Sequence, residues 1–229
     1  AGCAPVWPER SDMSFKDFVL DFFFPPRCAF CGAILEKSGD GVCETCRRKL
    51  PRTADTKRTC DFVHAYTAPF YYVEPVRQGV LTYKFGNAPA RGKVFGRMLG
   101  ENLLSRGIDD FDLISWVPLS AKRYRRRGYD QAQILAEAAA EVLGTKAVPL
   151  LRKSRDVSPQ SRLHSPEERR ANISGCYVVR SADAVRGKNI LLIDDIITTG
   201  STLSECARML LTAGAKSVRG AALACHREE

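Results

Sequence analysis

Apolar positions alternate between two spacings along most of the chain, from about Phe62 to the C-terminus. Short apolar runs predict buried strands, and longer stretches with apolar residues three and four positions apart predict helices. The runs that indicate strands are the first part of VHAYTAPFYY, FDLISWVPL, NILLI and SVRGAALAC. The stretches that indicate helices are the segment 76–83, KVFGRMLGENLL, YDQAQILAEAAAEVL and STLSECARMLLTAG. Strands that alternate with helices imply a mostly parallel sheet flanked by helices, so the pattern predicts an α/β fold.

Two helix starts and one helix end carry specific signals. Asp130 precedes a stretch with helical spacing, and Gln133 follows three residues later, which is a capping-box pattern. Ser165 and Glu168 repeat this pattern in SPEERRAN. Gly214 follows the last predicted helix and predicts its end. These signals add helix boundaries to what the apolar spacing predicts.

The N-terminal sixty residues have a different pattern. Residues 1–12 have the pattern of a tail, and SFKDFVLDFFF places phenylalanines at helical spacing before a pair of prolines that ends the helix. We expect its apolar face to pack on the rest of the protein, because this is the commoner use of such a stripe; binding to a membrane surface is the alternative. The chain therefore divides into the tail, a helix with a small cysteine-rich module at 13–60, and an α/β domain at 61–229.

Four of the nine cysteines form two close pairs, CAFC and CETC, with eleven residues between them. Each pair offers two thiolates from one tight turn, and together they suit tetrahedral zinc. Four protein ligands leave no open position, so the zinc would be structural; two disulfides are the alternative. The odd cysteine total and the lack of a secretory signal favour a reducing, cytoplasmic setting. The four predicted ligands are Cys28, Cys31, Cys43 and Cys46.

The charge of the chain bears on its partners. The 229 residues carry a formal net charge of +9 at pH 7. This excess favours an anionic partner, which can be nucleic acid, a phosphorylated metabolite or an acidic membrane surface. No segment reaches the ~18 uninterrupted apolar residues of a membrane helix, so we expect no membrane insertion.

The stretch NILLIDDIITTGST carries the strongest candidate chemistry. Asp194 and Asp195 follow the apolar strand, and ligands of a parallel sheet bind beyond the carboxyl ends of its strands. The loop from Thr198 to Thr202 then opens the next helix, where Gly200 permits a tight turn and backbone N–H groups can hold a phosphate. The carboxylates can accept hydrogen bonds from hydroxyl groups, and the backbone N–H groups can donate to a phosphate. Together they suit a ribose phosphate, which carries both kinds of group. The alternative is an ordinary strand, turn and helix with surface aspartates.

This stretch resembles the signature with which type I phosphoribosyltransferases bind phosphoribosyl pyrophosphate (PRPP). The shared order is an apolar strand, an acidic pair, an apolar pair and Thr-Thr-Gly-Ser-Thr. The resemblance implies a type I phosphoribosyltransferase-like fold and Mg²⁺ bound together with PRPP. It implies that Asp194 and Asp195 bind the ribose hydroxyls. It also implies that the 5′-phosphate is held by Thr198, Thr199, Gly200, Ser201 and Thr202.

Together with the cysteine pairs, further blocks resemble the ComF family, in which a zinc module precedes such a domain. The blocks are FFFPPRCAFCG, LTYKFGNAPARGKVFGRMLG, WVPLSAKRYRRRGYDQAQILA and SPQSRLHSPEERRANISGCY. Asp130 stands where the family pattern usually has Asn, and it keeps the ability to cap a helix. The resemblance implies that Lys84, Phe85 and Gly86 form a loop that faces the pyrophosphate; an ordinary surface turn is the alternative.

The run KRYRRRG places five cations around one tyrosine. These cations repel one another, so the sequence predicts a mobile loop when nothing is bound. Guanidinium groups suit the phosphate oxygens of pyrophosphate or of a nucleic-acid backbone, and Tyr124 and Tyr129 can stack on bases. A solvated basic loop is the alternative. The residues predicted to contact pyrophosphate or nucleic acid are Lys122, Arg123, Tyr124, Arg125, Arg126 and Arg127.

Two functions of different classes follow from the resemblance. In the first, the protein serves natural transformation: it binds PRPP and handles incoming single-stranded DNA in the cytoplasm, alongside a helicase-like partner. In the second, it is a catalytic phosphoribosyltransferase, in which a nucleobase or another amine displaces pyrophosphate from PRPP with Mg²⁺ on the phosphate oxygens. We expect the first, because the zinc module, the basic run and the excess charge all fit it.

Overall fold

The computed structural model describes residues 25–35, 39–54, 58–155 and 175–227. The described helices are α1 Glu44–Lys49, α2 Val76–Phe85, α3 Ala90–Ser105, α4 Ala121–Arg127, α5 Gln131–Val142, α6 Ala182–Val185 and α7 Ser201–Thr212. The described strands are β1 Arg58–Cys60, β2 Val63–Thr67, β3 Phe70–Tyr71, β4 Leu113–Trp116, β5 Leu151–Lys153, β6 Tyr177–Val179, β7 Asn189–Ile197 and β8 Ser217–Cys225. The predicted tail and the predicted helices in SFKDFVLDFFF and SPEERRAN lie outside the described residues.

Six of the described strands form one sheet in the order β1-β2-β8-β7-β4, with β3 paired to β8. The strands β2, β3, β8, β7 and β4 pair in parallel, and β1 pairs with β2 in the antiparallel sense. This sheet confirms the predicted α/β fold with a mostly parallel sheet. A separate antiparallel ribbon of β5 and β6 was not predicted.

Successive side chains of β7 point to opposite faces of the sheet, as the two-residue repeat of a strand requires. Leu191 and Ile193 pack in a cluster with residues of α3 and α5, whereas Ile190 and Leu192 pack with residues of α7. All four are at most 1% exposed. Burial on both faces explains why the strand has a continuous apolar sequence up to its aspartates.

Glycines on one face of α3 let it lie close to α5. A Cβ at Gly96 would lie 2.6 Å from the Cβ of Ala138, so a larger residue would push the helices apart. Gly92 leaves room for the hydroxyl of Tyr83, which donates a hydrogen bond to the carbonyl of Gln131 at 2.9 Å. This packing connects the end of α2 to the start of α5, and both of these ends border the candidate site.

The cysteine-rich module shares its core with the α/β domain. Phe30, in the first cysteine turn, is fully buried against Phe70 and Phe95, with ring centroids 5.9 Å and 5.2 Å away. Arg91 of α3 donates a hydrogen bond to the carbonyl of Ala29 at 2.6 Å. The loss of this turn would therefore expose apolar surface of the main domain as well.

Strand β7 is longer than predicted, because it continues through the two aspartates to Ile197. Its neighbour β8 extends with it, and Ile197 pairs with Cys225. The other neighbour, β4, ends at Trp116, which pairs with Ile193. The aspartates therefore lie within β7, but they follow Ile193, the last residue of β7 that pairs with β4.

Candidate functional site

The carboxylates of Asp194 and Asp195 lie on opposite sides of β7, since successive side chains of a strand alternate. Asp195 points toward α2, where its Oδ1 lies 2.8 Å from the Nζ of Lys84. The side chain of Asp195 is 9% exposed and that of Lys84 is 19% exposed, so a ligand can reach both. This ion pair brings a predicted ribose-binding residue together with a predicted pyrophosphate residue.

Asp194 has a different electrostatic environment. Its Oδ1 accepts a hydrogen bond from the backbone N–H of Asp195 at 2.8 Å. Although the residue retains some solvent exposure, burial of its carboxyl and then the negative charge of Asp195 raise its pKa to about 8. The pKa of Asp194 therefore lies well above that of an ordinary aspartate, and the protonated carboxyl can donate as well as accept a hydrogen bond.

Two of the three residues predicted to form a pyrophosphate loop are helical and the third is the helix C-cap, which corrects the predicted loop conformation. Lys84 and Phe85 are the last residues of α2, and Gly86 is its C-cap, with its N–H bonded to the carbonyl of Thr82. The helix continues because Tyr83, one residue earlier, is fully buried and anchors this turn in the core. Lys84 and Phe85 are thus presented from a helix end rather than from a free loop.

The predicted phosphate loop leads directly into α7. Gly200 is the N-cap of that helix with a φ of 72°, a left-handed conformation that favours glycine. A Cβ at this position would also lie 2.8 Å from the Cβ of Cys60. Oxygens Oγ1 of Thr199 and Oγ of Ser201 lie 2.8 Å apart, so two hydroxyl groups of the loop lie together at the helix N-terminus. The arrangement can bind an anion with backbone donors and hydroxyls.

The basic run forms helix α4, so the prediction of a loop there was wrong. The side chain of Ser120 caps the start of the helix by accepting from the N–H of Arg123, and Gly128 ends it with a φ of 84°. These two caps offset the repulsion among the cations, and three arginines in the last turn complement the helix dipole. Three of its five cations, Lys122, Arg125 and Arg126, are exposed and line an accessible surface, while the other two are half-buried.

Arg127 differs from the other cations of α4. Its guanidinium lies 5.4 Å from the ring centroid of Phe85, which is 68% exposed. Burial lowers the pKa of Arg127, and the nearby charge of Asp195 opposes that shift. Among the described residues its Nη1 is buried with no hydrogen-bond partner. Arg127 therefore offers an unused donor close to the pair of Asp195 and Lys84.

Two residues between α4 and α5 have structural roles. Tyr129, which the sequence predicts to stack on bases, is only 8% exposed and donates its hydroxyl to the carbonyl of Tyr83. It is therefore not available for stacking. Asp130 caps α5 as predicted and also accepts from the backbone N–H of Leu119 at 2.7 Å. It thereby holds the two ends of the α4 segment together.

The four paired cysteines form a cluster with the geometry that zinc requires. Their sulfur atoms all lie within 4.8 Å of one another, and the sulfurs of Cys31 and Cys43 are 3.7 Å apart. Tetrahedral zinc, with bonds of about 2.3 Å to sulfur, separates its ligands by about 3.8 Å. Every described cysteine is a free thiol, which removes the disulfide alternative for these four. The donor set therefore fits a structural zinc ion.

Comparison with known families defines the class of the protein. Residues 126–229 match the phosphoribosyl transferase domain, and residues 19–65 match the double zinc ribbon domain. The chain is thus a phosphoribosyltransferase-type domain preceded by a zinc ribbon. Within the described ranges, no helix is both long enough and apolar enough to cross a membrane.

Similar proteins narrow this class to one family. Competence protein ComFC of Streptococcus pneumoniae is 31% identical over 196 residues, which are 84% of this chain and 84% of that protein. DNA utilization protein YhgH of Salmonella typhimurium is 27% identical over 85% of this chain and 95% of its own. Competence protein F of Haemophilus influenzae is 24% identical over 86% and 96%. The chain therefore belongs to the ComF family of competence and DNA utilization proteins.

Proposed function

We propose that the protein binds PRPP between the end of α2, the aspartates of β7 and the loop 198–202. The observation that carries the proposal is the 2.8 Å contact of Asp195 with Lys84 beside a loop that can hold a phosphate. Asp194 and Asp195 would bind the ribose hydroxyls, and the loop would bind the 5′-phosphate through backbone N–H groups and hydroxyls. A single ligand that carries both hydroxyl and phosphate groups would bind to the aspartate pair and to the loop at the same time.

The pyrophosphate of PRPP would lie toward Lys84 and Arg127. An ammonium and a guanidinium suit phosphate oxygens, and the buried Nη1 of Arg127 would gain a partner there. Mg²⁺ would enter with PRPP on its phosphate oxygens, because magnesium is usually bound through substrate phosphates and one or two carboxylates. Phe85, stacked under Arg127, would keep that guanidinium in place.

We further propose that α4 binds single-stranded DNA, in keeping with the names of the relatives. Three of the five cations along this helix are exposed, and Tyr124 is 49% exposed. Cations that neutralise backbone phosphates and an aromatic ring on which a base can stack are the common elements of single-strand binding. A cytoplasmic setting and a helicase partner belong to this proposal.

Catalytic phosphoribosyl transfer is the second candidate function. The observation that favours it is the set of donors near the carboxylates, because Lys84 and Arg127 could stabilise the charge that develops on departing pyrophosphate. A nitrogen nucleophile would then form a bond to the anomeric carbon as the bond to pyrophosphate breaks. Release of pyrophosphate from PRPP and Mg²⁺ in the presence of a panel of nucleobases would separate this function from binding alone.

Replacement of both carboxylates tests the PRPP site. The double variant Asp194→Asn with Asp195→Asn should lose PRPP binding, because it removes the negative charge that holds the ribose and its metal. The matched control is Asp183→Asn, which changes a surface carboxylate that is 92% exposed. Calorimetric titration with PRPP and Mg²⁺ measures both variants. An unchanged affinity in a double variant with native circular dichroism would refute the proposed site.

A further inference from the structure

A cavity lies between α4 and the ribbon of β5 and β6, at the open edge of the sheet formed by β4. Its volume is about 390 Å³, within the range of roughly 300–1,000 Å³ that is usual for small-molecule sites. No residue of the aspartate pair, the phosphate loop or the end of α2 lines it. The residues that matter here are Trp116, Tyr124, Arg125, Arg152, Lys153 and Arg180.

The electrostatic balance of the cavity is strongly positive among the residues that line it. Four of these residues are cationic, and Asp130 is the one acidic residue among them. The oxygens of Asp130 already accept three backbone hydrogen bonds, from Leu119, Ala132 and Gln133. Its carboxylate is therefore committed to the start of α5, and the cations can attract an anion.

The walls also include two aromatic residues. Trp116 is the last residue of β4 and is only 8% exposed, whereas Tyr124 projects from α4 and is 49% exposed. Tyr124 is therefore the ring on which a base can stack. A lone phosphate would leave most of a cavity of about 390 Å³ empty. An aromatic ring system that carries a phosphate would contact both the cationic and the aromatic residues of the cavity. Bases stack on aromatic side chains, and guanidinium groups bind phosphate oxygens.

We propose that this cavity is a binding site for one nucleotide, with its phosphate among Arg125, Arg152 and Arg180 and its base against Tyr124. A free mononucleotide and the terminal nucleotide of a DNA strand share this chemistry. The inference deepens the proposed binding of DNA by α4, on which it rests only through Tyr124 and Arg125. It is independent of the PRPP site, because the two sites have no residues in common.

Calorimetric titration of the zinc-loaded protein with thymidine 5′-monophosphate tests the proposal. Thymidine, which lacks the phosphate, should bind at least about tenfold more weakly, because the charge-assisted hydrogen bonds are lost. Arg152→Ala should weaken binding of the monophosphate by about tenfold or more for the same reason. Arg152 is an exposed residue of β5, so its replacement leaves the core intact. The matched control is Arg186→Ala, which removes an exposed arginine outside the cavity and should bind the monophosphate like the unchanged protein.

A second arm distinguishes the two sources of the nucleotide. Oligothymidylate with a 5′-phosphate is compared with the same strand ending in a 5′-hydroxyl, in the unchanged protein and in Arg152→Ala. Arg152-dependent binding of the monophosphate assigns a free nucleotide, and Arg152-dependent preference for the phosphorylated strand alone assigns a strand end. The proposal is overturned if Arg152→Ala changes neither.

The double variant Asp194→Asn with Asp195→Asn separates this inference from the PRPP site. The cavity site predicts that the double variant keeps its affinity for the monophosphate, even where it loses PRPP. Loss of the monophosphate in the double variant but not in Arg152→Ala would place the nucleotide in the PRPP site and overturn the inference. Loss of PRPP binding by Arg152→Ala would also contradict it.

Discussion

At the scale of single residues, the neighbouring aspartates of β7 have different electrostatic surroundings. Asp195 is paired with Lys84, whereas burial raises the pKa of Asp194 to about 8. The negative charge of Asp195 is itself one of the causes that raise the pKa of Asp194. A ligand that brings hydroxyl groups or a cation supplies the partners that an ionised Asp194 lacks.

This difference predicts how stability depends on pH. The raised pKa of Asp194 costs nothing below the ordinary aspartate pKa, where the group is protonated whether or not the protein is folded. Its cost grows as the pH rises toward about 8, because the unfolded chain releases the proton first. Asp194→Asn keeps the oxygen that accepts from the N–H of Asp195 and removes the charge. It should raise the free energy of unfolding at pH 8 by about 1 kcal/mol or more, since one pKa unit corresponds to about 1.4 kcal/mol.

Urea denaturation of Asp194→Asn and the unchanged protein at pH 5 and pH 8 measures this effect. The gain should be larger at pH 8 than at pH 5. Asp183→Asn is the control, because that carboxylate is exposed and should show no comparable gain. Equal stabilities of Asp194→Asn and the unchanged protein at both pH values would contradict the account of Asp194.

The residues at the start of α5 show what could be predicted at this scale. Asp130 was recognised from its position before an apolar-periodic stretch, and it caps the helix by accepting from Ala132 and Gln133. Gln133, the second residue of the predicted capping box, uses its side-chain amide to donate a hydrogen bond to the carboxylate of Glu137 at 2.8 Å. The further bond from Leu119 to Asp130 crosses from another segment, and no local pattern predicts such a contact.

At the scale of elements, long periodic stretches were predicted and short ones were missed. The helices α3, α5 and α7 and the strands β4, β7 and β8 follow the predicted segments, because each has a repeated apolar spacing. The strands β5 and β6 have three residues each and lie far apart in the chain. Such short strands are defined by their pairing rather than by a pattern of their own.

Helix α4 was missed for a different reason. Charge repulsion argued for a loop, but Ser120 and Gly128 satisfy the two ends of a short helix. Both signals are present in the sequence, and they contribute through backbone hydrogen bonds that a count of charges ignores. The cations therefore have fixed positions relative to one another along the helix, and a nucleic acid would meet them in that arrangement.

The proposed DNA surface of α4 predicts a change in salt dependence. Lys122→Ala with Arg126→Ala removes two cations that line neither the cavity nor the pair of Lys84 and Asp195. The double variant should weaken binding of oligothymidylate and reduce the slope of log K against log salt by about 1–2, since each phosphate contact contributes about 0.7 on single strands. Fluorescence anisotropy at several salt concentrations measures the slope.

The control for this prediction is Arg77→Ala with Arg186→Ala, which removes two exposed arginines from other elements. It lowers the net charge by the same amount. A slope that falls equally in both double variants would assign the effect to net charge and contradict a surface on α4.

At the scale of the whole molecule, the fold joins segments that lie far apart in the sequence. Lys84, Arg127 and Asp195 come from three separate elements, and their approach depends on the packing of α2 and α5 against the sheet. The resemblance of each segment to a family could be recognised from the sequence. The ion pair of Lys84 with Asp195 and the stacking of Arg127 on Phe85 could not, because both are products of tertiary packing.

The cysteine cluster also acts at this scale, because Phe30 belongs to the common core. Removal of zinc should destabilise the whole protein, since a structural zinc site contributes to the free energy of folding. We expect a strong chelator to lower the Tm by at least about 5 °C, as a domain of this size loses about 2–4 °C per kcal/mol. Thermal denaturation followed by circular dichroism measures it, with metal analysis to confirm release. An unchanged Tm after release would show that the cluster does not support the core.

The central claim is that Asp194, Asp195, Lys84 and the loop 198–202 form one site for PRPP. Calorimetric titration of the zinc-loaded protein with PRPP, with and without Mg²⁺, tests it most directly. We expect saturable binding at one site per chain that is stronger with Mg²⁺. Ribose 5-phosphate should bind more weakly, because it lacks the pyrophosphate that Lys84 and Arg127 would contact. Absence of PRPP binding in the folded protein at either condition would contradict the account.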